Sequence, residues 1–144
     1  MPERETIELA EEDKREGKSP STQAGEFIRE EIHHVREGKH GAQSPQQVIA
    51  IGLSKARRAG VKLNPPKGSA LLKKKAQQDT KARKKTHKVS AKRSRGVESV
   101  LERESHRSAS HSALSRQAKK AASARSKQSR SSAAKKAART RKGA

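Results

Sequence analysis

The sequence predicts a mostly α-helical protein with extensive disorder, in which a short α-helical hairpin head precedes a polycationic low-complexity tail. Two observations support this fold class. Hydrophobic residues make up 28% of the 144 residues and charged residues 35%, a composition in which burial does not offset the entropy of ordering the chain. Convincing helical periodicity is confined to residues 22–63, and the sequence after Pro66 is mainly Lys, Arg, Ala and Ser.

The net charge of +21 lies entirely in the second half of the chain. Residues 1–65 hold 11 basic and 11 acidic residues, whereas residues 66–144 hold the other 25 Lys and Arg and only four acidic residues. A tail of this kind repels itself and stays expanded until it meets a polyanion. Duplex DNA carries one phosphate per roughly 1.7 Å of its axis, so 21 positive charges match the phosphates of about one helical turn. The charge asymmetry therefore indicates a nucleic-acid partner.

The N-terminal segment divides into an acidic leader and a first helix. Residues 1–19 lack a sustained apolar stripe, so we expect them to be disordered or a frayed helix. From Ser21 to Val35, apolar side chains recur at i, i+3 and i+4 spacing, with Glu30 among the polar residues of the opposite side. Gly38 follows the last turn, where a terminating glycine is expected. The pattern predicts a helix at about 22–37.

A second helix is predicted at about 45–59. Its start, Ser44 to Gln47, combines an N-cap serine, a proline at the first helical position and a glutamine at the third. Gly52 on its apolar face would let the first helix approach closely. The two helices predict a hairpin over residues 20–65, with so little apolar mass that a homodimer or protein partner would supply missing burial. The predicted hairpin core is Phe27, Ile28, Ile32, Val48, Ile49, Leu53 and Ala56.

The tail, residues 66–144, is predicted to be largely disordered when free and to bind phosphates. Repulsion between neighbouring lysine charges opposes helix formation, whereas the intrinsic helix propensities of alanine and lysine favour it. The segment Ala118–Ala122 recurs as Ala134–Ala138, and we expect helix in such patches once phosphate neutralises the charge. The predicted nucleic-acid-binding residues are Lys73, Lys74, Lys75, Lys81, Arg83, Lys84, Lys85, Lys88, Lys92, Arg93, Arg95, Arg116, Lys119, Lys120, Arg125, Lys135, Lys136, Arg139, Arg141 and Lys142.

Aromatic content bears on the type of nucleic acid. Proteins that bind single strands stack bases on Phe, Tyr or Trp, each stack contributing about 1–3 kcal/mol. The tail has none of these residues, and the chain has a single one, Phe27. Duplex DNA bound without sequence preference is therefore favoured over RNA. RNA stays open as a ligand because the tail contains scattered Ser-Arg pairs.

Secondary phosphate contacts are predicted near the second helix. Lys39 and His40 precede its amide-rich N-terminus, an arrangement suited to phosphate, although an ordinary glycine-bounded connector is the favoured interpretation. Arg57 and Arg58 are expected on the exposed face, where a merely solvated surface is an equal alternative. A helix-turn-helix centred on Gly52 is disfavoured, because the N-cap places that glycine in the middle of one continuous helix.

No metal, cofactor or catalytic site is predicted. His33 and His34 are adjacent and do not form the i, i+4 pair of a helical zinc site, and the other histidines lack ligand-like spacing. No Gly-rich phosphate loop or nucleophile motif is present, so we expect a protein that is not an enzyme. The chain has no Cys, which excludes disulfides. Without an apolar span or a signal-peptide core, we expect a cytoplasmic location and no membrane partner.

Two segments, GEFIREEI from Gly25 to Ile32 and the pattern QxIAIGLSxARxAG from Gln47 to Gly60, resemble a bacterial family of small basic proteins. That family is a domain of unknown function whose members are loosely labelled DNA-binding. The resemblance covers about residues 20–65 and implies a bacterial or phage origin but no mechanism. In composition, the tail is similar to bacterial linker-histone-like tails.

These observations predict a histone-like, nucleoid-associated protein that neutralises the phosphates of nucleic acid, with duplex DNA favoured over RNA. Two alternatives remain open. The head could recognise a specific protein while the tail only localises it, or the protein could be an RNA- or ribosome-associated assembly factor.

Overall fold

The computed structural model describes residues 2–82 and 90–143, and within these ranges the chain is helical without any β-strand. No helix in the same ranges is long and apolar enough to cross a membrane. The chain divides into two compact units, Met1–Ser110 and His111–Ala144. The first contains α1 (Arg4–Arg15), α2 (Pro20–Arg36), α3 (Pro45–Ala59), α4 (Ala70–Ala82), α5 (Ala91–Arg103) and a 3-10 helix (His106–Ala109), and the second contains α6 (His111–Ser123) and α7 (Lys127–Lys142).

The predicted fold class is wrong in two respects. The sequence after residue 65, expected to be extensively disordered, forms α4 to α7 and the 3-10 helix. The head is not a short helical hairpin, because α1, α4 and the 3-10 helix also pack on α2 or α3. The error has a physical origin. Low hydrophobicity predicts that only residues 20–65 contribute to an interior, but alanines and paired charges from outside that range also lie in it.

Helices α1, α2 and α3 enclose the first of two apolar clusters. Phe27 of α2 is 1% exposed and lies in one cluster with Ala10 of α1, Ala24 of α2 and Ala56 of α3. Leu53 packs against this cluster and is partly buried. Phe27 therefore contacts an element that the hairpin prediction did not include, since α1 occupies the expected acidic leader.

The second apolar cluster joins α2 and α3 to the segment after α5. Val35, Ala42, Val48 and Ala109 are each fully buried there, and Ile32 packs against them. The anchoring residue is Ala109 of the 3-10 helix, whose carbonyl oxygen accepts a hydrogen bond of 2.9 Å from Arg36 Nε. A residue of the supposed tail thus lies in the interior of the first unit.

Helix α4 also contributes to that interior through one alanine and one carboxylate. Ala76 and Asp79 are 6% and 5% exposed. Asp79 accepts hydrogen bonds from Ser54 Oγ at 2.8 Å and from Arg58 Nη2 at 3.0 Å, so its charge is neutralised by α3. The contact between α3 and α4 therefore includes a nearly buried ion pair.

The loop between α2 and α3 is anchored at both ends and in the middle. Gly38 has a φ of 78°, which an L side chain rarely adopts, and it follows the end of α2. Ser44 caps α3 by accepting a hydrogen bond from the Gln47 backbone N–H at 3.3 Å. Between them, the Gly41 N–H donates to the Leu101 carbonyl oxygen at 2.8 Å. These contacts determine the position of His40, the residue between Lys39 and Gly41.

Gly52 permits the close approach of α3 to α2. A Cβ atom at this position would lie 2.8 Å from Cα and 2.9 Å from Cγ1 of Ile28, closer than carbon atoms pack. The small residue that the sequence analysis singled out is at the helix crossing itself. Ile28 and Ile49, the remaining predicted core residues, are partly buried.

Replacing Gly52 with alanine should destabilise the first unit. Alanine favours helix over glycine by about 1 kcal/mol, but the added methyl group must push α2 and α3 apart, and overpacking typically costs about 1–3 kcal/mol. Gly25→Ala on α2 is the matched control, because its Cβ would meet nothing within 4 Å. Urea unfolding followed by circular dichroism should show a lower midpoint for Gly52→Ala and a higher one for Gly25→Ala. A rise in both midpoints would contradict the close crossing.

Candidate functional site

The second unit presents a surface of positive charge only. Eleven of the 36 Lys and Arg residues and none of the 15 acidic residues lie in 111–144, so this unit has a net charge of +11. The first unit, with 25 basic and 15 acidic residues, has +10 in more than three times the length. All the basic residues of the second unit are exposed. They are Arg116, Lys119, Lys120, Arg125, Lys127, Arg130, Lys135, Lys136, Arg139, Arg141 and Lys142.

Helical spacing groups these charges into rows. Arg116, Lys119 and Lys120 follow i, i+3 and i+4 spacing on α6, so they share one side of that helix. On α7, Lys135 and Arg139 are four residues apart and likewise adjacent. The two copies of the Ala-Lys-Lys-Ala-Ala repeat lie one on each helix. Each helix therefore carries a row of cations that no acidic side chain of its own unit can neutralise.

The other predicted nucleic-acid contacts belong to the first unit. On α4 and α5 the cationic side chains are exposed; they are Lys73, Lys74, Lys75, Lys81, Lys92, Arg93 and Arg95. Arg83, Lys84, Lys85 and Lys88 lie outside the described residues. The predicted set is thus divided between the units, although it was taken to be one continuous tail.

Three of the four predicted secondary contacts line one open pocket in the first unit. Lys39, His40 and Arg58 surround a volume of about 500 Å³ together with Arg93 of α5. Arg57 is instead buried, with 9% of its surface exposed. The pocket wall also includes carboxylates, Glu98 and Glu102.

Two cations of this pocket, Lys39 and Arg58, already have acidic partners. Lys39 Nζ lies 3.2 Å from Glu3 Oε1 and 3.3 Å from Glu37 Oε2, and hydrogen bonds with these carboxylates raise the pKa of Lys39 above its ordinary value. Arg58 pairs with Asp79. A phosphate at this pocket would compete with these carboxylates, whereas one at the second unit would not.

A second group of polar residues is buried between α1, α2, α3 and the loop after α2. The carboxylates of Glu30 and Glu31 on α2 are 3% and 1% exposed. Lys55 of α3 lies 2.8 Å from Glu30 Oε1 and contacts Glu31 Oε1. The backbone N–H of Glu3, which precedes α1, donates to Glu30 Oε2 at 3.2 Å. This buried ionic group connects all three helices.

Two histidines complete this group. His34 Nδ1 lies 3.6 Å from Glu31 Oε1, and His40 Nε2 lies 3.4 Å from Glu31 Oε2. The side chains of His34 and His40 are 12% and 20% exposed, and their rings meet edge to face with centroids 6.2 Å apart. One atom from each of Glu31, His34 and His40 lies within 4.8 Å of the others.

Burial and pairing act in opposite directions on the charges of this group. Burial alone would lower the pKa of Lys55, but hydrogen bonds to Glu30 and Glu31 outweigh it and raise that pKa. Burial alone would raise the pKa of Glu30, yet hydrogen bonds from Lys55, Thr6 and the Glu3 backbone leave that pKa below its ordinary value. The Glu30–Lys55 pair is therefore held in its charged form.

Sequence reasoning missed this buried group. Glu30 was placed on the solvent side of α2 because only α3 was expected to cover that helix, but α1 covers a second side. His34 and His40 were judged by linear spacing, whereas the loop folds His40 back onto α2. Two adjacent glutamates directly before an apolar residue and two histidines, on the helix that carries the Phe27 stripe, were the available signal.

Comparisons of the chain with protein-family models, curated proteins and solved structures find no match. The resemblance of residues 20–65 to a family of small basic proteins stays a prediction. Function must therefore be inferred from the charge and geometry of the residues themselves.

Lys55→Met should strongly destabilise the first unit. The substitution leaves Glu30 and Glu31 buried without their ammonium partner, and removing one member of a buried ion pair typically costs about 3–5 kcal/mol. Arg4→Met is the control, since the Arg4–Glu8 pair is largely exposed and such pairs contribute little. Thermal unfolding of both variants gives the difference in melting temperature, and a chelator in the buffer keeps metal ions from contributing to it. Equal melting temperatures would mean that Glu30 and Glu31 do not depend on Lys55.

Proposed function

We propose that this protein binds nucleic acid without sequence preference, through the phosphate backbone, and that the second unit, residues 111–144, provides most of the affinity. The observation that carries the proposal is the set of eleven exposed cations without a single acidic side chain in that unit. Lys and Arg that neutralise phosphates release condensed counterions, which supplies the free energy of non-specific binding. The first unit is less suited to this role, because its 25 basic residues are offset by 15 acidic ones, and six of those basic residues form ion pairs with carboxylates in the described part of the chain.

The absence of a stacking surface supports backbone binding. Phe27 is the only Phe, Tyr or Trp of the chain, and it is buried in the first apolar cluster. Base stacking on such side chains is the usual means of holding single strands. We therefore propose duplex DNA as the preferred ligand, and a histone-like role in the cytoplasm, associated with the nucleoid.

The helical form of the second unit suits this ligand. Like charges at i, i+3 and i+4 repel one another on a free helix, and phosphates placed along the same row relieve that repulsion. A row of cations on each of two helices offers several phosphate contacts at once without a base-reading side chain. Binding of this kind positions a protein on a duplex but does not read its sequence.

Affinity for duplex DNA should fall steeply with salt and be indifferent to sequence. The expected slope of log affinity against log salt is about −0.9 per phosphate contacted, so eight simultaneous contacts would lose on the order of 10⁴ in affinity between 50 and 200 mM salt. Fluorescence anisotropy with two unrelated duplexes, a single strand and a structured RNA measures both slope and preference. A shallow slope or a strong preference for one duplex would contradict backbone neutralisation. Tighter binding of RNA than of duplex would redirect the proposal to RNA.

Charge removal should locate the affinity in the second unit. Changing Lys119, Lys120, Lys135 and Lys136 to Gln should reduce the salt slope by up to about 3.6, if each lysine contacts one phosphate. The matched control changes the four lysines of α4 to Gln, which are exposed but belong to the first unit; they are Lys73, Lys74, Lys75 and Lys81.

A second control changes the same four positions of α6 and α7 to Arg, which keeps the charge and should keep the slope. Equal losses in the α4 and the α6–α7 variants would show that affinity follows total charge, and would refute the assignment to the second unit. Circular dichroism of each variant checks that the helices persist.

A further inference from the structure

We propose that Glu31, His34 and His40 form a binding site for one divalent transition-metal ion of the Zn²⁺ type. The proposal rests on three observations in the first unit: the hydrogen bonds of the two histidine rings, the spacing of three ligand atoms, and a buried carboxylate oxygen without a donor. It is independent of the nucleic-acid proposal, because none of these residues lies in the second unit.

The outer nitrogen of each ring already donates a hydrogen bond. His40 Nδ1 lies 3.0 Å from the Gly41 carbonyl oxygen, and His34 Nε2 lies 2.9 Å from Glu3 Oε1. A carbonyl or carboxylate oxygen only accepts, so both of these nitrogens carry the proton. In a neutral ring the other nitrogen then has a free lone pair. Metal-bound histidines are typically held in this way, with the second N–H donated to a carboxylate or a backbone carbonyl.

The inner nitrogens both face Glu31. His34 Nδ1 and His40 Nε2 lie 3.6 and 3.4 Å from its two carboxylate oxygens. Two lone-pair acceptors at this distance gain nothing from each other unless a proton or a metal cation lies between them. Ligand atoms bound at about 2.0–2.2 Å in a tetrahedron are roughly 3.3–3.6 Å apart. The distance from His40 Nε2 to Glu31 Oε2 matches this spacing, and one ligand atom of each of the three residues lies within 4.8 Å of the others.

Oxygen Oε2 of Glu31 has no hydrogen-bond partner among the described residues, although the side chain is 1% exposed. Lys55 contacts the other oxygen, Oε1. Burying a carboxylate oxygen without a partner costs free energy, and coordination of a metal at Oε2 would remove that cost. Two imidazoles and one carboxylate are a ligand set that Zn²⁺ accepts, with a fourth position left for water.

The charge of the surroundings also favours a cation. Four carboxylates, those of Glu3, Glu30, Glu31 and Glu37, are joined through ion pairs to two ammonium groups, those of Lys39 and Lys55. Two negative charges are thus in excess when both rings are neutral. A divalent ion would neutralise this excess, while Lys55, which contacts Glu31, would remain necessary for Glu30 but would weaken binding of the metal.

A metal here would act as a structural staple. It would connect His40 of the loop to Glu31 and His34 of α2. Because His34 also donates a hydrogen bond to Glu3, the metal would fix the start of α1 as well. Small domains with little apolar mass gain stability from such ions, and metal binding adds directly to folding free energy.

Zn²⁺ titration of the metal-stripped full chain tests the site. Calorimetry should show one ion per chain, and saturating Zn²⁺ should raise the melting temperature. His34→Gln and His40→Gln should each weaken binding by at least about 100-fold, beyond the range typical for loss of an outer hydrogen bond to a ligand. His33→Gln is the matched control, since His33 is adjacent on α2 but exposed, and it should bind as the unmodified chain does.

The unmodified chain provides a test that does not depend on variants folding. Nitrogen-15 spectra of the histidine rings should show Zn²⁺ on Nδ1 of one histidine, His34, and on Nε2 of another, His40, each keeping its opposite N–H. Co²⁺ should give the absorption of a tetrahedral site. The proposal is overturned if no saturable binding occurs, if all three histidine variants bind equally, or if the two rings bind metal through the opposite nitrogens.

Discussion

The burial of two adjacent carboxylates is the constraint on which the first unit depends. A charge removed from water is costly unless it is paired and hydrogen-bonded, so Glu30 and Glu31 can lie between helices only if partners reach them. Lys55 of α3 and the backbone N–H of Glu3 are those partners. The buried ionic group around Glu30 and Glu31 thereby fixes the positions of α1 and α3 on α2, where a larger protein would use a large apolar core.

Small residues complete what large apolar residues cannot. Ala10, Ala24 and Ala56 surround Phe27, and Ala109 closes the second cluster. Short side chains allow backbones to approach, and Gly52 allows a close approach of α3 to Ile28 of α2. An interior in which a few large apolar residues are surrounded by alanine, glycine and paired charges explains how a chain of low hydrophobicity packs several helices.

Charge distinguishes the two units more clearly than apolar content does. The first unit has carboxylates that pair with some of its cations, Lys55 among them in a buried group. The second unit has none to use, and its cations are therefore available to a polyanion. A metal site at Glu31 would reinforce the first unit, while the phosphate contacts proposed for α6 and α7 lie in a different part of the chain. The two proposals can therefore succeed or fail separately.

The sequence alone determined the features that depend on near neighbours: helix in the segments of α2 and α3, the Ser44 cap, the glycine after α2, and the concentration of positive charge toward the C-terminus. Capping, periodicity and charge are local or additive, so they can be read from the order of residues. Only the tertiary structure decided that α1 covers Glu30, that Ala109 enters the interior, and that His40 meets His34 at Glu31. These contacts join residues distant in sequence, and their free energy comes from pairing and close packing, which composition does not reveal.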